Sequence, residues 1–572
     1  MTNEDKIEKA IKEAEVVPSH RGQRADDDAQ GADPKEFCPI TPLGIMEGTC
    51  YFIACNGELR KVSHRDFTEA CLITLFGNNN WLRQNFPAKG RKGAKDHSGF
   101  NRSEAMNWLI DKCAKRGYYN ASTPLRGVGV WRAGDDLVLH SGDAIWYKNQ
   151  WLLPGQKIHG AIYTAHASLT RPDFESPMTA VEALEWRKRL DAWTFEGEAD
   201  ADLLFGFQGL SHLGGFPNWR VHAFVVGERG IGKTSLGQFL INSLDVQGLE
   251  FNDFTEAGLR QLLLNEARTI WLDEGEPGND AFNTQRMAAV IRLLRKMSGG
   301  QGARVTRGSS SGTAHNYTVT GCILLTAVNP PPLEPQDRSR ILQISLRNSD
   351  KPLSKKVVDS FIDEVKRHSA KFRARALLGA ERFCYAVEHY REILVQRGCD
   401  GRQADMFAAL LAGRSLLLHD DKPPDEPELF DALSKRLSNV FAEDIESGDG
   451  HSCLRHLYDT PCDSLRDGRR LTIGQIIARE RQSPGTFNTE LDSLGLRLMP
   501  DGSLFIPGSH GQLNRVYYGK VWALGGWKHS MRRLPGVKNT PHPVRVSGCK
   551  IRGLFIPPDL LPSLDADPPC PP

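Results

Sequence analysis

Residues 221–234, V-H-A-F-V-V followed by G-E-R-G-I-G-K-T, constrain the fold of this chain more than any other stretch. Val221, Ala223, Phe224, Val225 and Val226 make a short apolar run, the composition of a parallel strand buried on both faces. The run breaks at Gly227 into a turn that matches G-x-x-x-x-G-K-[ST]. Gly227, Gly230 and Gly232 permit backbone angles closed to other residues, so successive N–H groups can converge on a triphosphate at the start of the next helix. The strand before the turn and the amphipathic S-L-G-Q-F-L-I-N-S-L after it set it apart from a chance glycine turn carrying an exposed lysine. The expected ATP contacts are therefore Gly227, Glu228, Arg229, Gly230, Ile231, Gly232, Lys233, Thr234 and Ser235, with Lys233 on the β- and γ-phosphates and the Thr234 hydroxyl on Mg²⁺.

Such a loop needs an acidic partner to hold the metal and orient a water. T-I-W-L-D-E supplies it: Ile270, Trp271 and Leu272 form a buried strand, Asp273 at its end is placed to hold Mg²⁺ through water, and Glu274 to polarise the attacking water. Alone, a D-E after an apolar run marks a turn or a helix start. About forty residues after a phosphate loop it reads as functional. The next run, G-C-I-L-L-T-A-V-N, ends in Asn329, which either hydrogen-bonds the γ-phosphate or lytic water or simply turns the chain before Pro330, Pro331 and Pro332. In P-Q-D-R-S-R-I-L-Q-I-S-L, Arg338 and Arg340 precede another strand, where one guanidinium either reaches the γ-phosphate held by a neighbouring subunit or the two are simply surface arginines near Asp337.

The ordered set G-E-R-G-I-G-K-T, T-I-W-L-D-E, L-L-T-A-V-N and D-R-S-R resembles the AAA+ ATPase core, and its compact spacing is similar to superfamily-3 helicases. F-T-E-A-G-L-R-Q-L-L, D-E-G-E and D-R-S-R-I more closely resemble the helicase-like ATPases that phages and prophages encode beside or fused to primases. The resemblance covers residues 221–346 well, with weaker support in L-L-A-G-R-S-L-L-L and G-K-V-W-A-L-G-G-W-K-H-S-M-R-R-L-P-G. It implies a ring-forming, hexameric, ATP-driven DNA translocase working with primase or other replication proteins. It also implies a DNA-gripping hairpin between the acidic strand and the strand of Asn329. A-R-V-T-R-G-S-S-S-G-T-A-H-N-Y-T-V has that form, with Arg304, Arg307 and His315 near its tip, although arginine stands where the family usually has lysine, and an exposed flexible hairpin is the equal alternative.

The expected architecture is α/β: a P-loop AAA+ core of parallel sheet with flanking helices, an N-terminal α+β domain, helical segments and a C-terminal winged-helix-like domain. Residues 1–36 are too polar to bury anything and read as a mobile tail. Residues 37–155 form the α+β domain, with a hairpin at Asn56-Gly57, helices near residues 66–76 and 103–116, and a basic loop of Lys89, Arg91, Lys92 and Lys95 that either touches phosphates or, as is commoner for such loops, is solvated surface. Residues 156–220 make a helical collar, 221–350 the ATPase core, 351–445 a helical region, 446–556 the basic winged-helix-like domain and 557–572 an extended tail. The N-terminal part holds no primase centre of recognisable pattern.

Charge distribution says more than the net charge of +2, because residues 502–558 contain nine Lys or Arg and no Asp or Glu. Helix, helix and a wing turning at Asp501-Gly502 would bring Arg515, Lys520, Lys528, Arg532 and Arg533 to phosphates, with Tyr517, Tyr518, Trp522 and Trp527 interleaved for packing or base stacking. Winged helices also bind protein, and that alternative stays open. His451, Cys453, His456 and Cys462 lack the tight paired spacing of structural zinc sites and read as an ordinary helix face. No run approaches the ~18 apolar residues of a membrane helix, and the charged N-terminus is no signal peptide, so no membrane and a cytoplasmic location are expected, with the twelve cysteines reduced. The functional expectation is an ATP-dependent DNA helicase or translocase of phage or prophage replication, hydrolysing ATP with Mg²⁺ at subunit interfaces. The rivals are an ATP-gated DNA-binding scaffold without processive unwinding, and a primase-helicase with an unfamiliar N-terminal primase.

Overall fold

A computed structural model describes residues 38–88, 99–244, 248–275, 281–300, 302–308, 314–331, 333–349, 354–447, 449–462, 471–520 and 522–562. The expected tail 1–36, the basic loop of Lys89, Arg91, Lys92 and Lys95, and most of the final tail lie outside the described residues. Two units divide the chain, Met1–Ala432 and Leu433–Pro572.

The first unit opens with an antiparallel sheet of β1 (Thr41–Met46), β2 (Thr49–Ile53) and β3 (Leu59–Ser63). The Asn56-Gly57 turn joins β2 to β3, but a second turn precedes it. Glu47 and Gly48 both take positive φ, 50° and 70°, the backbone of a two-residue hairpin turn that adds β1 to the sheet. Helices α1 (Glu69–Phe76), α2 (Asn80–Asn85) and α3 (Arg102–Arg116) follow, and Phe52, Leu72, Phe86 and Leu109 share their core.

The chain then runs through β4 (Leu125–Arg126), β5 (Gly129–Ala133), β6 (Asp136–His140), β7 (Ile145–Tyr147), β8 (Gln150–Leu152), β9 (Gln156–Ile158) and β10 (Ala161–Tyr163), in two sheets ordered β5-β6-β7-β8 and β4-β10-β9. The second sheet continues to Tyr163, past the boundary expected at residue 155, because β10 turns back to pair in parallel with β4. Next to β5 the chain docks on the following region: Ala267 N–H donates to Val128 O at 2.9 Å and Gly215 N–H to Val130 O at 2.8 Å. A Cβ on Gly129, whose φ is 121°, would lie 2.3 Å from Ala267 O, so this close approach requires glycine.

Helix α4 (Ala180–Arg189) starts in a Thr179/Glu182 capping box, and α5 (Asp200–Leu213) is buried along almost its whole length. The central region comprises β11 (His222–Val226), α6 (Lys233–Asn242), β12 (Gly248–Phe251), α7 (Glu256–Leu262), β13 (Thr269–Leu272), α8 (Ala281–Met297), β14 (Ala303–Gly308), β15 (Ala314–Val319), β16 (Ile323–Ala327), α9 (Pro335–Arg338) and β17 (Ile341–Ser345). Five strands form one parallel sheet, ordered β12-β13-β16-β11-β17. All residues of β11, β13 and β16 are buried, as continuous apolar runs require in a sheet covered on both faces. β14 and β15 form a separate antiparallel hairpin.

Helices α10 (Lys355–Leu378), α11 (Ala380–Gln396) and α12 (Gly401–Leu418) follow in the first unit, and α13 (Pro427–Ser447) spans its boundary with the second. α12 lies so close on α5 that a Cβ at Gly206 would sit 2.0 Å from Leu410 O. Beside this crossing Asp202 binds Arg187 at 2.7 Å and Arg414 at 2.6 Å, and Arg414 reaches Glu426 at 2.7 Å. Burial alone would raise the Asp202 carboxyl; the two guanidinium groups hold it below its ordinary value.

The second unit holds α14 (Asp449–Asp459), α15 (Ile473–Gln482), α16 (Asn488–Ser493), β18 (Arg497–Leu498), β19 (Leu504–Pro507), α17 (Gly511–Val516), α18 (Gly526–Met531), β20 (Lys538–Asn539), β21 (Val544–Val546), β22 (Cys549–Ile551) and β23 (Gly553–Ile556). The hairpin β18–β19, turning at Asp501 and Gly502, is one edge of a four-stranded sheet ordered β18-β19-β23-β20 and not a free two-stranded wing. Ile476, Leu491, Tyr517 and Trp527 centre its core. The segment expected as an extended tail from residue 557 is packed as far as Pro562, because Tyr458 Oη donates to Leu560 O at 3.1 Å and Arg481 Nη1 to Pro562 O at 3.1 Å. Among the described residues no helix is long and apolar enough to cross a membrane, and eleven cysteines are free of disulfides.

Candidate nucleotide-binding site

A parallel sheet sends every strand's C-terminal end to one edge, and ligands gather outside that edge. At the end of β11 the chain enters the glycine loop with φ of 155° at Gly227, 83° at Gly230 and 93° at Gly232. Gly230 and Gly232 lie in the left-handed region that disfavours side chains, and Gly232 caps α6. Its carbonyl accepts a hydrogen bond from the Trp193 indole at 3.0 Å, and Trp193, 6% exposed, packs on Phe239 of the same helix. The α6 N-terminus therefore has its open N–H groups and positive dipole end facing the loop. Lys233 Nζ donates to Gly227 O at 2.8 Å and Glu228 O at 2.7 Å, folded back over its own loop. Glu228, Arg229 and Gly230 are exposed, while Ile231 and Ser235 are half-buried. The Glu228 carboxylate accepts from Asn348 Nδ2 at 3.0 Å.

β13 brings Asp273 to the same edge. Thr234 Oγ1 donates to Asp273 Oδ2 at 3.3 Å, while Asp273 Oδ1 accepts from Glu274 N at 3.0 Å and from the Thr326 hydroxyl. Glu274 is exposed and holds a φ of 56°, a conformation costing a non-glycine residue of order 1 kcal/mol or more and recurrent at functional sites. Gly275 N–H is fixed by Thr326 O at 2.8 Å, and Glu276 lies outside the described residues. Asn329 follows β16 by two residues and is exposed. Lys233, Thr234, Asp273, Glu274 and Asn329 thus share one edge of the sheet. The Thr234 hydroxyl and Asp273 carboxylate are hard oxygen donors beside a phosphate cradle, a donor set that fits Mg²⁺.

Arg338 and Arg340 are not at that edge. Arg340 O accepts from His222 N at 3.0 Å, at the beginning of β17 and β11, a strand length of about 16 Å from the glycine loop at ~3.3 Å per residue. In one chain they cannot meet the loop. Both are half-buried. Arg340 lies over the Trp219 ring, 5.3 Å from its centroid, and donates to Gln336 O at 2.6 Å; burial first, then Arg402 and Arg295, lowers its pKa. Arg338 Nε donates to Leu333 O at 3.4 Å.

The hairpin expected from the family resemblance is present in the backbone. Arg304 pairs in register with Thr318 and Arg307 with His315; the tip, residues 309–313, lies outside the described residues. Sequence reasoning missed the residue that anchors the hairpin's base. Buried Arg220 donates to Met297 O at 2.9 Å, Gly299 O at 2.9 Å and Gly300 O at 2.7 Å, satisfying the C-terminal end of α8 just before β14. Burial pulls its pKa down to about 10. It also missed Trp193, Thr326, Asn348 and Glu250. The Glu250 carboxyl on β12 is raised by burial first and by the Asp273 charge second. Only a single-residue signal marked each of these, with no spacing pattern to lift it from background.

In the second unit Arg515, Lys520, Arg532 and Arg533 are exposed and Lys528 is half-buried. Arg533 lies 3.7 Å from Asp449. Tyr517 and Trp527 stack at 5.3 Å in the core, and Trp527 Nε1 donates to Pro507 O at 2.9 Å, so neither faces a base. Trp522 is half-buried and bonded to Asp449 at 2.7 Å; Tyr518 is 86% exposed. His456 is bonded to Val516 O at 3.0 Å and Cys453 is buried beneath Tyr517, and no metal-holding group of three or more His, Cys, Asp or Glu occurs among the described residues.

No family model matches the sequence, and no curated protein matches it. Among solved structures, the fold is similar to an SCCmec type IV Cch protein described as an active helicase, with a TM-score of 0.45 and 13% identity over 89% of each chain. It is similar to the apo C-terminal region of NrS-1, TM-score 0.37 and 12% identity, covering 91% of this chain and 96% of that one. A full-length MCM homologue from Methanopyrus kandleri matches 54% of this chain and 74% of its own, with a TM-score of 0.27 and 15% identity.

Proposed function

We propose that this chain is a Mg²⁺-dependent ATPase of AAA+ superfamily-3 type that moves or unwinds DNA in the replication of a phage, prophage or related element. The observation that carries the reading is the meeting of Lys233, Thr234, Asp273, Glu274 and Asn329 at the C-terminal edge of one parallel sheet, with Thr234 Oγ1 3.3 Å from Asp273 Oδ2. In this reading the loop N–H groups and Lys233 bind the triphosphate, Lys233 exchanging its two loop carbonyls for phosphate oxygens. Thr234 and Asp273 would hold Mg²⁺, which would supply charge neutralisation to the bound triphosphate. Glu274 orients a water and takes its proton, and Asn329 hydrogen-bonds the γ-phosphate or that water.

Arg338 or Arg340 completes the site of a neighbouring copy, since both lie at the opposite edge from their own loop. A hexameric ring satisfies that geometry in every subunit. The β14–β15 hairpin and the basic second unit, read as a winged helix, bind DNA through phosphates, with Arg304, Arg307 and His315 in the first and Arg515, Lys528, Arg532 and Arg533 in the second. Such a motor works in the cytoplasm.

Purified protein is expected to displace a strand from a forked duplex only with Mg²⁺ and ATP. Turnover without displacement would leave the ATP-gated scaffold, and ribonucleotide incorporation on a single-stranded template would reveal a primase in residues 37–155. Arg304→Ala/Arg307→Ala is expected to abolish DNA stimulation of turnover; unchanged stimulation removes the hairpin from the mechanism.

A further inference from the structure

We infer that Thr326 is a positioning residue for Asp273 and that the Trp271 indole fixes the direction of its hydroxyl; this rests on the ATPase reading above. Thr326 lies in β16 between Leu325 and Ala327, and its side chain is fully buried, as is that of Trp271 in the adjacent strand. A hydroxyl there is costly unless bonded. An indole N–H can only donate, and Trp271 Nε1 is 3.0 Å from Thr326 Oγ1, so the threonine oxygen accepts. Its single hydrogen is then committed to Asp273 Oδ1.

That oxygen also accepts the Glu274 N–H at 3.0 Å. With Oδ1 held by two donors, the carboxylate plane is set and Oδ2 is turned to Thr234 Oγ1. The indole is itself closely packed. A Cβ on Gly237 of α6 would fall 2.3 Å from Trp271 Cζ2, so the helix that begins with Lys233 rests directly on the ring. Phosphate-loop helix, indole, hydroxyl and carboxylate therefore form one packed series across three elements. The wiring orients a metal-binding carboxylate without touching nucleotide, as outer hydrogen-bond partners do at metal sites generally.

The test uses the full chain with Thr326→Val, which keeps the shape and removes the hydroxyl, and Thr326→Ser, which keeps the hydroxyl. Affinity for a fluorescent ADP is measured in Mg²⁺ and in EDTA, and ATP turnover is titrated with Mg²⁺. Thr326→Val is expected to leave affinity in EDTA unchanged while reducing the tightening produced by Mg²⁺, and raising the half-saturating Mg²⁺ concentration, roughly tenfold; Thr326→Ser is expected to match wild type. Trp271→Phe, which keeps a ring against Gly237 but loses the N–H, should shift the same way and carries the test if Thr326→Val does not fold. Wild-type Mg²⁺ dependence in Thr326→Val, or an equal defect in Thr326→Ser, overturns the inference and leaves the ATPase reading standing. A wild-type chain that binds ADP equally in Mg²⁺ and EDTA and turns over no ATP overturns both.

Discussion

The parallel sheet of the first unit and the four-stranded sheet of the second solve the same packing problem with opposite consequences for function. In the former all five strands point one way, so each buried apolar run delivers whatever polar residue follows it to a common edge. In the latter the strands are antiparallel and two of them are only two residues long, so there is no common end. Neighbours in sequence there part company: Tyr517 is fully buried and Tyr518 is 86% exposed. Direction concentrates chemistry in one region, whereas packing alone sorts residues in the other.

The largest effect that would break this contrast is at the common edge. Lys233→Ala is expected to lower ATP turnover roughly 100- to 1000-fold, the usual cost of losing one donor to transition-state charge, with the circular-dichroism spectrum unchanged. Intact turnover would mean that the edge is not a nucleotide site. In the second unit the corresponding large effect is on stability: Trp527→Ala removes a fully buried ring and should cost about 3–5 kcal/mol in denaturant unfolding of that unit, leaving turnover at the first unit's site in place.

A pH titration sharpens the contrast further. Burial pulls His140 down to about 4 and His212 and His222 down to about 3, all in the first unit. In His222, Nδ1 accepts the Ile323 N–H at 3.1 Å, so Nε2 carries the proton and donates to Leu294 O at 2.9 Å. Protonation would break that pairing. Above about pH 6.5 these rings are neutral in folded and unfolded chain alike; below it the unfolded chain takes up protons that the folded one refuses, so stability falls by about 1.4 kcal/mol per pH unit per histidine down to the folded values. The melting temperature of the first unit should be flat from pH 8 to 7 and drop steeply between 6 and 4; a flat profile to pH 4 would contradict the burial.

Smaller effects belong to the surface of the second unit. Arg532→Ala/Arg533→Ala should weaken DNA binding and make the log–log salt dependence shallower by about 1 to 2, without changing turnover in the absence of DNA. Fluorescence anisotropy at several salt concentrations measures it, and an unchanged slope removes these residues from the interface. Tyr518→Ala should alter stability by less than about 0.5 kcal/mol, so any sizeable loss would show that the exposed ring is packed.

Much of the first unit was legible beforehand because its signals are runs and spacings. V-H-A-F-V-V, T-I-W-L and I-L-L-T-A are strands, and the glycine loop opens a helix as its pattern requires. The Glu47-Gly48 turn has no asparagine to mark it, and Pro557 to Pro562 read as an extended tail because prolines conceal the anchoring by Tyr458 and Arg481. Thr326 and Trp193 carried no pattern at all, since their partners lie 53 and 39 positions away.

Sequence by itself determined which segments are buried strands, where the glycine loop opens a helix and which carboxylates follow a strand, because those properties depend on neighbours within a few positions. Only tertiary structure decided that Thr326 and Trp271 hold Asp273, that Arg338 and Arg340 sit a strand length from their own loop, and that of two adjacent tyrosines one is core and the other surface. Those outcomes depend on strand order and on contacts between residues far apart in the chain, and no local pattern encodes them.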